Sequence, residues 1–118
     1  MREARDDGGM DQDFIDRLRA QLGGPRDGAL LRFSLGNALL CHGDAIGAAT
    51  AFREAVAFDA NYSAAWKMLG RALVDSGDSA GAVAAFERGI GVARERGDEQ
   101  AAKEMTVFLR RLHKPATS

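Results

Sequence analysis

The sequence has one cysteine, Cys41, two prolines, one tryptophan and one tyrosine in 118 residues. One cysteine excludes an intramolecular disulfide and any multi-cysteine metal site. Scarce β-branched residues leave little material for a sheet. No apolar run approaches the length that crosses a bilayer. Met1 to Gly9 are charged where a secretory leader needs an apolar centre, so the cytoplasm is the expected compartment. Charge of one sign is also missing: 16 basic against 17 acidic residues give a net charge of −1. No global field draws the chain to nucleic acid or to a membrane surface.

What is abundant is apolar and small. Hydrophobic residues make up 46% of the chain and glycine alone numbers 14, enough for one domain with a core. Residues 1–9 hold little to bury and are expected to be disordered. A first helix is expected within 10–24, with Asp11 or Asp13 as its cap. Phe14, Leu18 and Leu22 form its stripe beside Ile15, and Gly23-Gly24-Pro25 ends it.

The stretch from Ser63 to Arg96 organises the rest. Shifted back by 34 residues it nearly reappears. Leu35, Gly36, Ala38, Leu39, Gly43, Asp44, Gly47, Ala48, Ala51 and Phe52 recur as Leu69, Gly70, Ala72, Leu73, Gly77, Asp78, Gly81, Ala82, Ala85 and Phe86. Each copy reads as two helices. Gly43 and Gly77 suit the left-handed residue after a helix, and Asp44 and Asp78 suit the cap of the next. Gly97-Asp98 repeats that signal before a last helix, Glu99 to about His113, with a stripe of Ala101, Met105, Phe108 or Leu109, and Leu112. Gly89 and Gly91 stand inside a helix, where each costs about 1 kcal/mol relative to alanine. They permit close helix approach or mark a soft segment.

This period, with Trp66, Leu69, Gly70 and Leu73 followed by Ala82 and Phe86, resembles the tetratricopeptide repeat of small bacterial-type proteins. The resemblance implies an all-α right-handed superhelix of antiparallel helix hairpins. Residues 10–114 form one domain on this reading: an N-terminal helix in 10–24, repeats at 29–62 and 63–96, and a capping helix in 97–114. Gly36 and Gly70, with Ala48 and Ala82, are the expected close contacts. Leu35, Leu39, Phe52, Leu69, Leu73 and Phe86 are the expected filling. The first repeat departs from the pattern with Arg32 where Trp66 stands, which points to a different neighbour, the N-terminal helix. Ala60 stands where family members usually carry proline.

The resemblance also implies binding rather than catalysis, with no cofactor and no metal. The inner-face positions are Leu30, Phe33, Asn37, Leu40 and Cys41 in the first repeat, and Ala64, Lys67, Arg71, Val74 and Asp75 in the second. Of these, Leu30, Phe33, Asn37, Leu40, Lys67, Arg71, Val74 and Asp75 are the expected groove for a peptide or partner helix. Lys67 and Arg71 are four apart and share a helix face. With Asn37 they suit a carboxylate, as in an acidic or C-terminal peptide. A terminal helix folded over this face would bury it, and an Arg71–Asp75 pair would neutralise it. The second functional reading is structural, a homo-oligomer associating through exposed repeat faces.

The remaining candidates are weaker. Cys41 and His42 are adjacent on a helix and point about 100° apart, so they do not form a catalytic dyad. His113 lies too far along the chain to share a metal with His42. Arg110, Arg111, His113 and Lys114 are basic residues at a helix end, where cations are favourable by themselves.

Overall fold

The computed structural model describes residues 12–113. The expected disordered 1–9, the Asp11 cap and the tail beyond 113 lie outside the described residues. Six helices and no strand occur among those described. They are α1 (residues 12–20), α2 (Ala29–Cys41), α3 (Ala45–Phe58), α4 (Ser63–Asp75), α5 (Ser79–Glu95) and α6 (Glu99–His113). Asp13 lies inside α1, because the helix already includes residue 12, so it is not the cap.

A Gly-Asp dipeptide closes one helix and opens the next at three places. At the end of α2, Gly43 has φ 91° and its N–H donates to Leu40 O at 3.0 Å, while Asp44 N–H donates to Leu39 O at 2.8 Å. This satisfies two of the carbonyls that a helix end leaves unpaired. The Asp44 carboxylate then accepts from Gly47 N–H at 2.8 Å and caps α3. Gly77-Asp78 repeats both halves, with Asp78 Oδ1 accepting from Gly81 N–H at 2.9 Å. Gly97-Asp98 does so again, with Ala101 N–H as donor at 3.1 Å. A Cβ built on Gly47 or Gly81 would crowd the capping carboxylate as it stands, whereas the third cap accommodates the Cβ of Ala101 at the same position.

The helices pack in chain order. α2 pairs with α3 and α4 with α5; α3 also packs on α4, and α5 on α6. Among α2 to α6, the first helices of successive pairs touch, α2 with α4 and α4 with α6, whereas α3 and α5 do not. The shortest principal extent is 22 Å, two helix diameters, so the array is two layers deep.

One continuous core joins α1 to α6. Phe52, Phe86, Ile15 and Met105 are its largest fully buried side chains. Inside each hairpin the glycine of the first helix receives the phenylalanine of the second. A Cβ on Gly36 would stand 2.6 Å from the Phe52 ring, and one on Gly70 would overlap Phe86. Gly89 plays the same part between α5 and α6: a Cβ there would meet Met105 Sδ at 2.5 Å and Trp66 Cβ at 2.8 Å. Gly91 has nothing within 4 Å, so no close packing offsets its helix cost. Ala48 and Ala82 are both fully buried at the same repeat position. Ala82→Leu is expected to overpack the second hairpin and lower stability by about 1–3 kcal/mol. Thermal unfolding followed by circular dichroism checks this; an unchanged midpoint would contradict the close contact.

Arg32 has partners other than the helix expected beside it. Its Nε and Nη2 donate to the two oxygens of Asp27, at 2.8 and 2.7 Å, in the turn after α1. Its Nη1 donates to Glu54 at 2.7 Å, and the guanidinium lies 5.6 Å from the Phe58 ring centroid. Asp27 is held well below the usual carboxylate range, first by Arg32 and then by the Gly23 N–H. Trp66 and Arg88 stand 34 residues after Arg32 and Glu54, and they also pair, with Arg88 at 5.3 Å over the indole. An ion pair in the first repeat thus stands where the second has a cation–π contact.

Candidate functional site

The inner layer is made of α2, α4 and α6, and the expected groove residues lie along the first two. The structure distributes them over separate neighbourhoods. Leu30 is 70% exposed and lines a cleft with Tyr62, Ala64 and Arg96. Phe33 is half-buried, its ring 5.7 Å from Phe52 and 4.8 Å from Tyr62. It therefore packs within the first repeat, against α3 and against the residue that precedes α4. Leu40 is half-buried against the core. Asn37 and exposed Cys41 line a second cleft with Phe14, Ser34 and Ala38.

Lys67 and Arg71 both meet α6. Lys67 Nζ donates to Glu104 Oε1 at 2.8 Å, with the two side chains 27% and 39% exposed. Glu104 is held below the usual carboxylate range, chiefly by Lys67 and then by Gln100. A pair this exposed contributes about 0–1 kcal/mol, so its main consequence is positional. Arg71 is exposed, with its guanidinium 5.6 Å from the Phe108 ring centroid. No ion pair joins Arg71 to Asp75, or to any other carboxylate, among the described residues. Val74, 40% exposed, and Asp75, exposed, follow on α4. Asn37 stands in the α1–α2 cleft, while Lys67 and Arg71 have their partners on α6.

α6 does not fold across the inner face. It packs on α5, touches α4 and makes no contact with α2. Phe108 is fixed from behind by stacking on Phe86, with centroids 5.4 Å apart and planes 8° apart. Glu104 and Phe108 thus enter the site from a helix that sequence reasoning treated only as a cap. The signal for Glu104 was obscured by its spacing: it stands 37 residues from Lys67, not 34. α5 has 17 residues against 14 in α3, but the connection after it is one residue shorter, so α6 begins 36 residues after α4, two beyond the repeat period. Tyr62 was also missed as a partner of Phe33; burial, then the charge of Asp59, raises its phenol pKa.

Chemically, the surface offers an exposed guanidinium, an ammonium already paired with a carboxylate, and apolar side chains at both ends. Among the described residues no group of three or more His, Cys, Asp or Glu is arranged to hold a metal ion. No described helix is long and apolar enough to cross a membrane.

Such an array of helix pairs with a side-chain-lined inner layer defines a helical-repeat protein, a class whose work is binding. The comparisons make the class specific. No family model matches the chain. A TPR repeat-containing protein of Pseudomonas aeruginosa is 48% identical over 104 residues, covering 88% of this chain and 99% of the relative. The chain belongs to the tetratricopeptide-repeat family. Among solved structures, a protein of Bordetella parapertussis determined in solution is 47% identical with a TM-score of 0.71, covering 83% of this chain and 85% of that one. The tetratricopeptide repeat domain protein of Salinibacter ruber is 26% identical with a TM-score of 0.70, over 80% of this chain and 94% of that one. The TPR domain of Sgt2 from Aspergillus fumigatus, also 26% identical, gives a TM-score of 0.65 over 98% of this chain and 82% of that one.

Proposed function

We propose that the chain is a protein-interaction module that takes a peptide or partner helix along α2 and α4. Arg71 carries this reading. It is an exposed guanidinium, held over the Phe108 ring, with no carboxylate paired to it among the described residues. A guanidinium so placed offers two parallel N–H donors to one carboxylate. The partner's end is therefore an acidic side chain or a C-terminal carboxylate. Lys67 serves the same end less directly, because an incoming carboxylate has to compete with Glu104. Leu30, Phe33, Leu40 and Val74 would receive the apolar side chains that precede it, and Asn37 and Asp75 the backbone polar groups.

The test is a peptide array with acidic C-termini, followed by fluorescence anisotropy on the best binders. A charged hydrogen bond is worth about 1.5–3 kcal/mol. Arg71→Ala is therefore expected to weaken binding about tenfold or more, with Lys67→Ala costing less. Affinity should also fall as salt rises. Equal binding by the parent and the Lys67→Ala, Arg71→Ala double variant would sink the reading.

A further inference from the structure

The seam between α4 and α6 carries two contacts at matching positions. Lys67 donates to Glu104 at 2.8 Å, and the Arg71 guanidinium lies 5.6 Å from the Phe108 ring centroid. The members are four apart on each helix, so the contacts form successive rungs about 6 Å apart. The two rungs differ in charge. At the second, Arg71 has no carboxylate paired to it among the described residues, and the Arg111 guanidinium lies 5.8 Å from the same ring. At the first, the Lys67 ammonium is matched by a carboxylate that is itself fixed. Glu104 Oε2 accepts from Gln100 Nε2 at 3.2 Å, one turn earlier on α6.

The corresponding place in the first repeat has no charge. Phe33 stands 34 residues before Lys67 and packs on Phe52 and Tyr62. The inner face thus has one open cationic position, at Arg71, and one that the chain has already filled, at Lys67. Lys67 and then Gln100 hold Glu104 below the usual carboxylate range, so it stays ionised wherever a peptide's own glutamates are.

We propose that Glu104 sets the charge specificity of this site: the inner face takes one carboxylate, at Arg71, and gains nothing from a second beside Lys67. This rests on the reading of Arg71 as the anchor for the partner's acidic end. Glu104 occupies Lys67 as a built-in substitute for the second carboxylate. An acidic group arriving there finds the ammonium already neutralised and meets the like charge of Glu104. In an extended peptide, residues two apart point to the same side and stand about 7 Å apart, close to the spacing of the rungs. The favoured ligand therefore has one acidic group at Arg71 and an uncharged residue two places from it. A run of acidic residues has no advantage over that ligand.

The test starts from the array peptide, ending in a free carboxylate, that loses most affinity on Arg71→Ala. It is resynthesised with glutamate, and separately with glutamine, at each of the four positions before the terminal carboxylate. Fluorescence anisotropy then compares three proteins: the parent, Glu104→Gln and Glu87→Gln. Glu104→Gln keeps the side-chain shape and removes the charge. Glu87→Gln makes the same change in net charge at an exposed site on the outer helix α5. In Glu104→Gln, glutamate should bind about two- to fivefold better than glutamine at one position, the range expected of one exposed ion pair. At that position the parent and Glu87→Gln should show no preference. Glutamate-to-glutamine ratios that match between the parent and Glu104→Gln at all four positions overturn the proposal. An equal gain in Glu87→Gln does so too. In both results binding still depends on Arg71; if no array peptide loses affinity on Arg71→Ala, the reading beneath the proposal fails with it.

Discussion

Phe86→Ala should unfold most of the protein at a temperature where the parent is fully folded. The ring is fully buried, fills the space left by Gly70 and is stacked on its other face by Phe108. Glycine at 70 leaves no side chain to relax into the void. Removing a buried phenylalanine costs about 3–5 kcal/mol. Domains of this size hold about 5–15 kcal/mol in total. The expected result is a fall in the thermal midpoint of about 15 °C or more. A shift of only a few degrees would mean that the hairpin closes without the ring.

Removal of α6, by ending the chain after Gly97, should abolish cooperative unfolding altogether. α6 brings Ala101, Ala102 and Met105 into the core, and Met105 fills the space beside Gly89. Without it, Phe86, Ile90 and Ala93 would lose cover on one side of α5. Two repeats are fewer than the three or so that such arrays need, so nothing else makes up the loss. Circular dichroism should retain helical signal without a sharp transition, and an apolar dye should bind. Sharp, dispersed amide resonances from the shortened chain would show that the pairs α2–α3 and α4–α5 stand without it.

Most of this architecture is legible in the sequence because its punctuation is local. Gly43-Asp44, Gly77-Asp78 and Gly97-Asp98 each end one helix and cap the next within a few residues, so the dipeptide alone places three boundaries. The glycine–phenylalanine contacts are legible too, since Gly36 with Phe52 and Gly70 with Phe86 recur at one offset. What escapes the sequence depends on breaks in that offset. Lys67 meets Glu104 between α4 and α6, which begin 36 residues apart and so fall off the 34-residue period. Arg32 finds the Asp27 carboxylate in the turn before α2, whereas Trp66 donates its Nε1–H to the Ala60 carbonyl in the turn before α4. The inner-face positions follow from the family resemblance, but the company each side chain keeps there does not. Phe33 joins Tyr62, Asn37 joins Phe14, and Arg71 joins Phe108 through contacts set by tertiary packing.

The central claim is that a partner is taken on the inner face and that Arg71 holds its acidic end. Amide chemical-shift mapping with the best-binding acidic peptide tests it most directly. The account predicts the largest shifts along α2 and α4, near Phe33, Lys67, Arg71 and Val74, with the Arg71 side-chain signals among them. Shifts confined to α3 and α5, with Arg71 unmoved, would contradict it.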